Sequence, residues 1–87
     1  MNTKEFNEKW EDHLEEGHYG MSIGIPEVIN YMNGEFEKEF IINPDFKFTQ
    51  IKEKFGMARV YTTSDRSGEW EEGIDGIIKE WEKSRDK

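Results

Sequence analysis

QIKEKFGMARVY, residues 50–61, is the stretch that decides the fold, because it joins two strand-like segments through a single glycine. Apolar and polar residues alternate from Phe46 up to this stretch, and that period of two predicts a strand. After Gly56 the segment MARVYTT is rich in β-branched and aromatic residues, which predicts a second strand and hence a hairpin. A competing interpretation makes residues 49–55 a short helix that Gly56 caps.

Positive charge is concentrated around the same stretch. Residues 46–60 carry four cations against one acid, a balance of +3, whereas residues 1–45 carry eleven acids against three lysines, a balance of -8. The whole chain has a net charge of -8. A uniformly solvated surface would not need such an uneven distribution.

Two helices are predicted before the hairpin. Asn2 and Glu5 fit a capping box, and an apolar stripe that begins at Phe6 predicts a first helix ending near Gly17. Pro26 suits the first turn of the second helix, whose apolar face runs to Phe40. Asn33 and Gly34 interrupt its helix-forming residues, so a bend or a break into two short helices is expected there.

The last helix has the clearest period in the chain. Apolar residues recur at steps of three and four over its length, at Trp70, Ile74, Ile77, Ile78 and Trp81. Gly73 and Gly76 lie three apart within it, a spacing that could permit another backbone to approach closely.

These elements predict one α+β domain over residues 1–87, with two N-terminal helices, a hairpin and a C-terminal amphipathic helix. The simplest architecture that buries the apolar faces of the helices packs them on one side of a small antiparallel sheet. Because a two-stranded sheet is marginal alone, the loop at residues 21–25 is a candidate third strand. Edge strands could also pair between chains and give a homodimer.

Composition excludes several classes of function. Without cysteine there is no disulfide framework, thiolate zinc site, iron–sulfur cluster or cysteine nucleophile. The N-terminus does not resemble a secretory signal, and no apolar run approaches the roughly 20 residues of a membrane span, which predicts a soluble cytoplasmic protein without a membrane partner.

No constellation of residues indicates catalysis. His13 and His18 lie among acids, but their spacing of five residues does not suit a shared metal ion. The hydroxyl residues lack a nucleophile elbow, and the glycines of GHYGMSIG lack the lysine of a phosphate-binding loop. We therefore expect a protein without enzymatic activity, metal or cofactor.

Residues 50–61 resemble a pattern, QIKEKFGGLRFY, of small uncharacterised proteins of bacteria and their phages. Met57, Ala58 and Val60 stand here where the pattern has Gly, Leu and Phe. The resemblance extends loosely to the last helix and so covers less than half of the chain. A cysteine pair that follows this helix in many of those proteins is missing, so no metal-binding role is implied. The resemblance implies a phage or mobile-element origin and no particular activity.

Acidic side chains form the first candidate site. They would give the helices a negative surface that resembles a phosphate backbone and suits the basic groove of a host protein. The members are Glu8, Glu11, Asp12, Glu15, Glu16, Glu35 and Glu37. The alternative is that these acids only solvate the helices. The net charge disfavours direct binding of nucleic acid.

Basic and aromatic side chains of the hairpin form the second candidate site. In strand alternation they could line a pocket for an anionic, nucleotide-like small molecule, with rings on the base and cations on phosphate. The members are Gln50, Lys52, Lys54, Arg59 and Tyr61. Alternatively these cations pair with carboxylates of the helices, for about 0 to 1 kcal/mol each when exposed. We expect binding and modulation of a host protein through the acidic surface, with ligand binding at the hairpin as the second function.

Overall fold

The computed structural model describes residues 1–85, which form three helices and a three-stranded mixed sheet, so the α+β class is confirmed. The elements in chain order are α1 (Thr3–Lys9), β1 (Gly20–Met21), α2 (Pro26–Ile42), β2 (Phe48–Lys54), β3 (Met57–Thr62) and α3 (Ser67–Arg85). Buried side chains from all six elements meet in one continuous core.

The sheet has the strand order β1-β2-β3, with β1 parallel and β3 antiparallel to β2. The prediction of an antiparallel sheet is therefore wrong at β1. Since α2 carries the chain back along the sheet between β1 and β2, the two strands run in the same direction. The predicted third strand exists, but it covers Gly20–Met21 and so overlaps residues 21–25 only at Met21, beyond which the Ser22 N–H still donates to Ile51 O at 2.9 Å.

The hairpin is confirmed, and the competing helix over residues 49–55 is wrong. Lys54 pairs with Met57, which leaves Phe55 and Gly56 as a two-residue turn. Their φ angles of 55° and 78° are both positive, as a type I′ turn requires. Pairing of β2 with a strand on each side outweighs the local helical spacing.

A bulge in β2 decides which of its side chains are buried. Phe48 pairs with Thr62 and Gln50 with Tyr61, so Thr49 is an extra residue opposite β3. Burial then changes from the even positions Phe46 and Phe48 to the odd position Ile51. Because of this change, the lysines beyond the bulge point away from the core.

The first helix is shorter than predicted. Its capping box is confirmed, since Asn2 Oδ1 accepts the Glu5 N–H at 2.8 Å and Glu5 Oε1 accepts the Asn2 N–H at 3.1 Å. The helix ends at Lys9 rather than near Gly17, and a 3₁₀ turn follows over Glu11–His13. Beyond it the chain is extended, because Leu14 forms a parallel bridge to Phe48 at the edge of the sheet.

The second helix is continuous through Asn33 and Gly34, so the predicted break is wrong. The Asn33 side chain accepts the Trp10 indole N–H at 3.2 Å and donates to Glu37 at 2.9 Å. These tertiary contacts offset the weak helix propensity of this segment. Phe40, which was expected in the core, is half exposed, because Phe36 and Phe46 already fill that end of the core.

The third helix has the predicted apolar face, with Trp70, Ile74 and Ile78 buried. The close approach predicted at Gly73 is made by a side chain of α2 rather than by a backbone. A Cβ added there would lie 2.5 Å from Cζ of Tyr31. Tyr31 therefore needs glycine at this position to keep its place.

Side chains close both outer edges of the sheet. At β1, Asn7 Oδ1 accepts the Met21 N–H at 2.8 Å, and the close contact explains Gly20, whose φ is 71°. At β3, Asp75 accepts the Ala58 N–H at 2.6 Å and Glu71 accepts the Val60 N–H at 2.9 Å. Pairing of edge strands between chains, on which the homodimer prediction rested, would have to displace these bonds.

Candidate functional site

The five residues predicted at the hairpin lie together on one face of the sheet. Their strand partners bring them side by side, because Gln50 pairs with Tyr61 and Lys52 with Arg59. Lys54 follows two residues further along the same face. The opposite face carries Ile51, Ala58 and Val60 and is buried against the helices. We call the outer side, formed by Gln50, Lys52, Lys54, Met57, Arg59 and Tyr61, the open face.

The cations of the open face are not neutralised within the part of the chain that the structure describes. None of Lys52, Lys54 and Arg59 has a carboxylate within 4.0 Å among residues 1–85. Lys52 Nζ lies 5.7 Å from the centre of the Tyr61 ring, a cation–π contact along the diagonal of the strand pair. The ion pairs expected as an alternative role for these residues are not formed within the described part of the chain.

Phe55 extends the open face at the tip of the hairpin, and sequence reasoning did not assign it to the site. It is 93% exposed and has a φ of 55°, which is unfavourable for a residue with a Cβ. Lys54 Nζ lies 5.7 Å from the centre of its ring. Neither the exposure of this ring nor the strain of its backbone can be inferred from the sequence, so only the structure adds Phe55 to the candidate site.

Grooves reach the open face from two ends and divide its residues between them. One groove, of about 370 Å³, is lined by Lys52 together with Ser22 and Trp81. The other, of about 450 Å³, is lined by Tyr61 together with Thr49 and Glu15. The arrangement is an extended surface with grooves at its borders rather than one pocket that collects all five side chains.

Five of the predicted acids form a second surface. All are exposed, and none pairs with a cation among residues 1–85; they are Glu8 on α1, Glu11 and Asp12 in the 3₁₀ turn, and Glu15 and Glu16 in the loop that follows. We call these five residues the acidic ridge. Lys47 is close to the ridge, but its Nζ donates to the backbone oxygen of Asp12 at 2.7 Å rather than to a carboxylate.

Glu35 and Glu37 differ from the acidic ridge in being paired. Glu35 accepts Arg66 Nη2 at 2.8 Å and Lys38 Nζ at 3.1 Å, with 14% of its side chain exposed. Glu37 pairs with Lys9 at 3.1 Å and remains largely exposed. Glu35 therefore stabilises contacts within the protein, whereas the Glu37 carboxylate remains accessible at the surface.

Arg66 organises an ion cluster that sequence reasoning missed. Besides Glu35, it contacts Glu69 at 3.4 Å and the buried Glu39 at 3.7 Å, and its guanidinium lies over the Trp70 ring. Burial opposes the charge of Arg66, but these carboxylates raise its pKa overall. In the sequence Arg66 lies in the short polar segment at residues 64–68, and nothing in that segment predicts an ion cluster.

A groove of about 460 Å³ lies between the 3₁₀ turn and the end of α2. Its lining is Lys9, Trp10, Asp12, His13, Glu37, Phe40 and Ile41, and we call it the acidic groove. Ile41 and the neighbouring Ile42 are 82% and 74% exposed, so apolar surface meets carboxylates here. Apolar patches rimmed by charge are typical of protein-binding surfaces.

The histidines have structural environments. The ring of His13 stacks on Phe46 at 4.3 Å, and its Nδ1 donates to the Phe46 carbonyl at 2.8 Å, which fixes the tautomer. His18 is exposed. Within residues 1–85 no cluster of three or more His, Asp or Glu side chains is arranged to hold a metal ion. None of the helices in this range is both long and apolar enough to cross a membrane.

In comparisons with known proteins, no family model, no curated protein and no solved structure matches the chain. The resemblance at residues 50–61 stays a prediction.

Proposed function

We propose that this is a small, non-enzymatic interaction protein, encoded by a phage, that binds and modulates a basic protein of its bacterial host in the cytoplasm. Host defence and nucleic-acid-handling proteins are the natural targets for such a surface. The observation that carries the proposal is the acidic groove, where exposed Phe40 and Ile41 lie beside Asp12 and Glu37. Solvation alone would explain the acids but not the apolar residues among them.

The groove and the acidic ridge suit a partner segment with an apolar side chain flanked by Lys or Arg. The apolar side chain would bury Phe40 and Ile41, and burial of apolar surface supplies most of the affinity. The flanking cations would pair with Asp12 and Glu37. The other carboxylates of the acidic ridge would attract the basic partner electrostatically and so raise the rate of association.

Charge reversal tests this proposal. We expect Glu11→Lys/Glu15→Lys/Glu16→Lys to abolish capture of a basic host protein from lysate without lowering the melting temperature, because these side chains are exposed and form no ion pair among residues 1–85. Glu72→Lys/Glu80→Lys/Glu82→Lys on α3 makes the same change in net charge away from the groove and should leave capture intact. Ile41→Ser should weaken capture of the same protein. Equal loss in both triple variants would refute a localised acidic site.

A second function, binding of an anionic nucleotide-like molecule, is supported by the register of the hairpin. Gln50, Lys52, Arg59 and Tyr61 are adjacent across the strands, and their cations have no carboxylate partners within residues 1–85. A panel of nucleotides in a thermal-shift assay tests it, with Lys52→Gln/Arg59→Gln as the variant that should lose any response.

A further inference from the structure

We infer that the open face, together with Phe55, binds single-stranded nucleic acid laid along the hairpin. This inference rests on the same residues as the second proposed function and replaces its small ligand by a polymer. Stacked bases and phosphates need what this face offers, namely exposed rings, cations without a carboxylate partner in residues 1–85, and a hydrogen-bonding amide at Gln50.

The dimensions of the open face favour a single-stranded oligonucleotide over a single nucleotide as the ligand. Tyr61 and Met57 are four residues apart on β3, about 14 Å at the usual rise per residue, and Phe55 lies beyond Met57. The two rings are therefore at opposite ends of the face, with Lys52, Lys54 and Arg59 between them. A strand of several nucleotides can stack on both rings while its phosphates meet the cations.

The chemistry of the face also favours nucleic acid over an acidic protein segment. A polypeptide rich in carboxylates would use the cations but has no need of exposed Tyr61 and Phe55, whereas every base has a face that stacks on an aromatic ring. The strained φ of Phe55 adds to this argument, since Asn or Gly would satisfy the turn at lower cost.

The net charge of -8, which argued against nucleic acid at the level of composition, is unevenly distributed over the fold. The open face itself includes three cations and no acid, whereas the exposed Glu53 of β2 points to the other side of the sheet, where its carboxylate accepts the Gly56 N–H at 2.7 Å. In physiological salt, charges act over about 8 Å, so the cations of the face dominate at contact. Glu15 borders the Tyr61 end and opposes binding there, and Glu53 and Glu82 border the groove at Lys52.

Fluorescence anisotropy of a labelled oligothymidylate of about 12 nucleotides tests the inference on the full chain. With three phosphate contacts, the affinity should fall about 18-fold between about 50 and about 200 mM salt. Lys52→Gln/Arg59→Gln should reduce this fall to about 2.6-fold, because one cation remains. The control Lys4→Gln/Lys79→Gln makes the same change in net charge elsewhere and should keep the full dependence on salt.

Two further variants separate stacking from charge and this inference from the proposed function. Phe55→Asn keeps the turn and should weaken binding at least about fivefold without altering the salt dependence. Glu15→Gln should tighten binding of the oligonucleotide, whereas it should weaken capture of a basic partner at the acidic ridge. Melting curves confirm that each variant is folded.

Several results would overturn the inference. No change in anisotropy at the lower salt concentration would remove it, as would an unchanged salt dependence in Lys52→Gln/Arg59→Gln. Competition by thymidine monophosphate at the same concentration as the oligonucleotide would assign the face to a small ligand instead. Equal competition by polyglutamate would mean that the face binds any polyanion, with no role for its rings.

Discussion

Replacement of Arg66 by methionine should cause the largest loss of stability among single changes at the ion cluster. Methionine keeps an unbranched apolar side chain next to Trp70 but removes the guanidinium, which lies over the Trp70 ring and faces Glu35 and Glu39. The Glu39 side chain is only 6% exposed, so its carboxylate would lose its cation with little water in return.

The expected magnitude follows from this burial. Removal of one partner from a fully buried ion pair costs about 3 to 5 kcal/mol. Arg66 itself keeps 26% of its side chain exposed, and water at that side screens the carboxylates, so we expect about 2.5 kcal/mol. The unfolding entropy of an 87-residue chain is about 0.18 kcal/mol/K, so the melting temperature should fall by about 14 °C.

Calorimetry or circular dichroism of four variants checks this reasoning. Arg85→Met is the matched control, because Arg85 also lies over a tryptophan of α3 but is exposed, and it should change stability by less than about 0.5 kcal/mol. Glu39→Gln and the double variant Arg66→Met/Glu39→Gln complete a mutant cycle, in which the double variant should be at least about 1 kcal/mol more stable than additivity predicts. Additive losses, or equal effects at Arg66 and Arg85, would refute the role of the buried carboxylate.

Three further predictions concern the turn, the sheet edge and a tyrosine. Phe55→Asn should raise the melting temperature by about 3 to 5 °C, since asparagine tolerates positive φ better than phenylalanine. Glu71→Ala/Asp75→Ala should expose two N–H groups of β3, lower stability by about 1 to 3 kcal/mol and cause concentration-dependent association in size-exclusion chromatography. Burial, and then the charge of Glu35, raise the pKa of Tyr31 above its usual 10.0. Because the folded state holds this proton more tightly, the stability that Tyr31 contributes is present below about pH 10 and is lost as pH rises further, so Tyr31→Phe should resist urea relatively better at about pH 11 than at about pH 9.

Local signals in the sequence predicted much of the fold. The capping box of Asn2 and Glu5, the turn at Gly56 and the apolar period of α3 each act over a few residues, and all three are confirmed. Strand alternation alone also groups Lys52 with Gln50, and Arg59 with Tyr61, but only the register of the two strands shows that these groups share one face.

Features that depend on distant contacts were missed or wrong. The early end of α1 depends on pairing between Leu14 and Phe48, and the extra residue Thr49 in β2 is visible only against its partner strand. Arg66 has acidic neighbours at helical spacing in sequence only at Glu69, while its other partners come from α2. No period in a single sequence reports such partners, because they are set by how the helices pack.

The closed edges of the sheet have a consequence for recognition. An open strand edge offers its backbone groups to any extended chain, whatever the sequence of that chain. With Asn7 at one edge and Glu71 and Asp75 at the other, this template is covered by the protein's own side chains. The sheet therefore has to recognise a ligand through its side chains. The selectivity of the sheet for that ligand depends on which amino acids it presents, and single substitutions can change it.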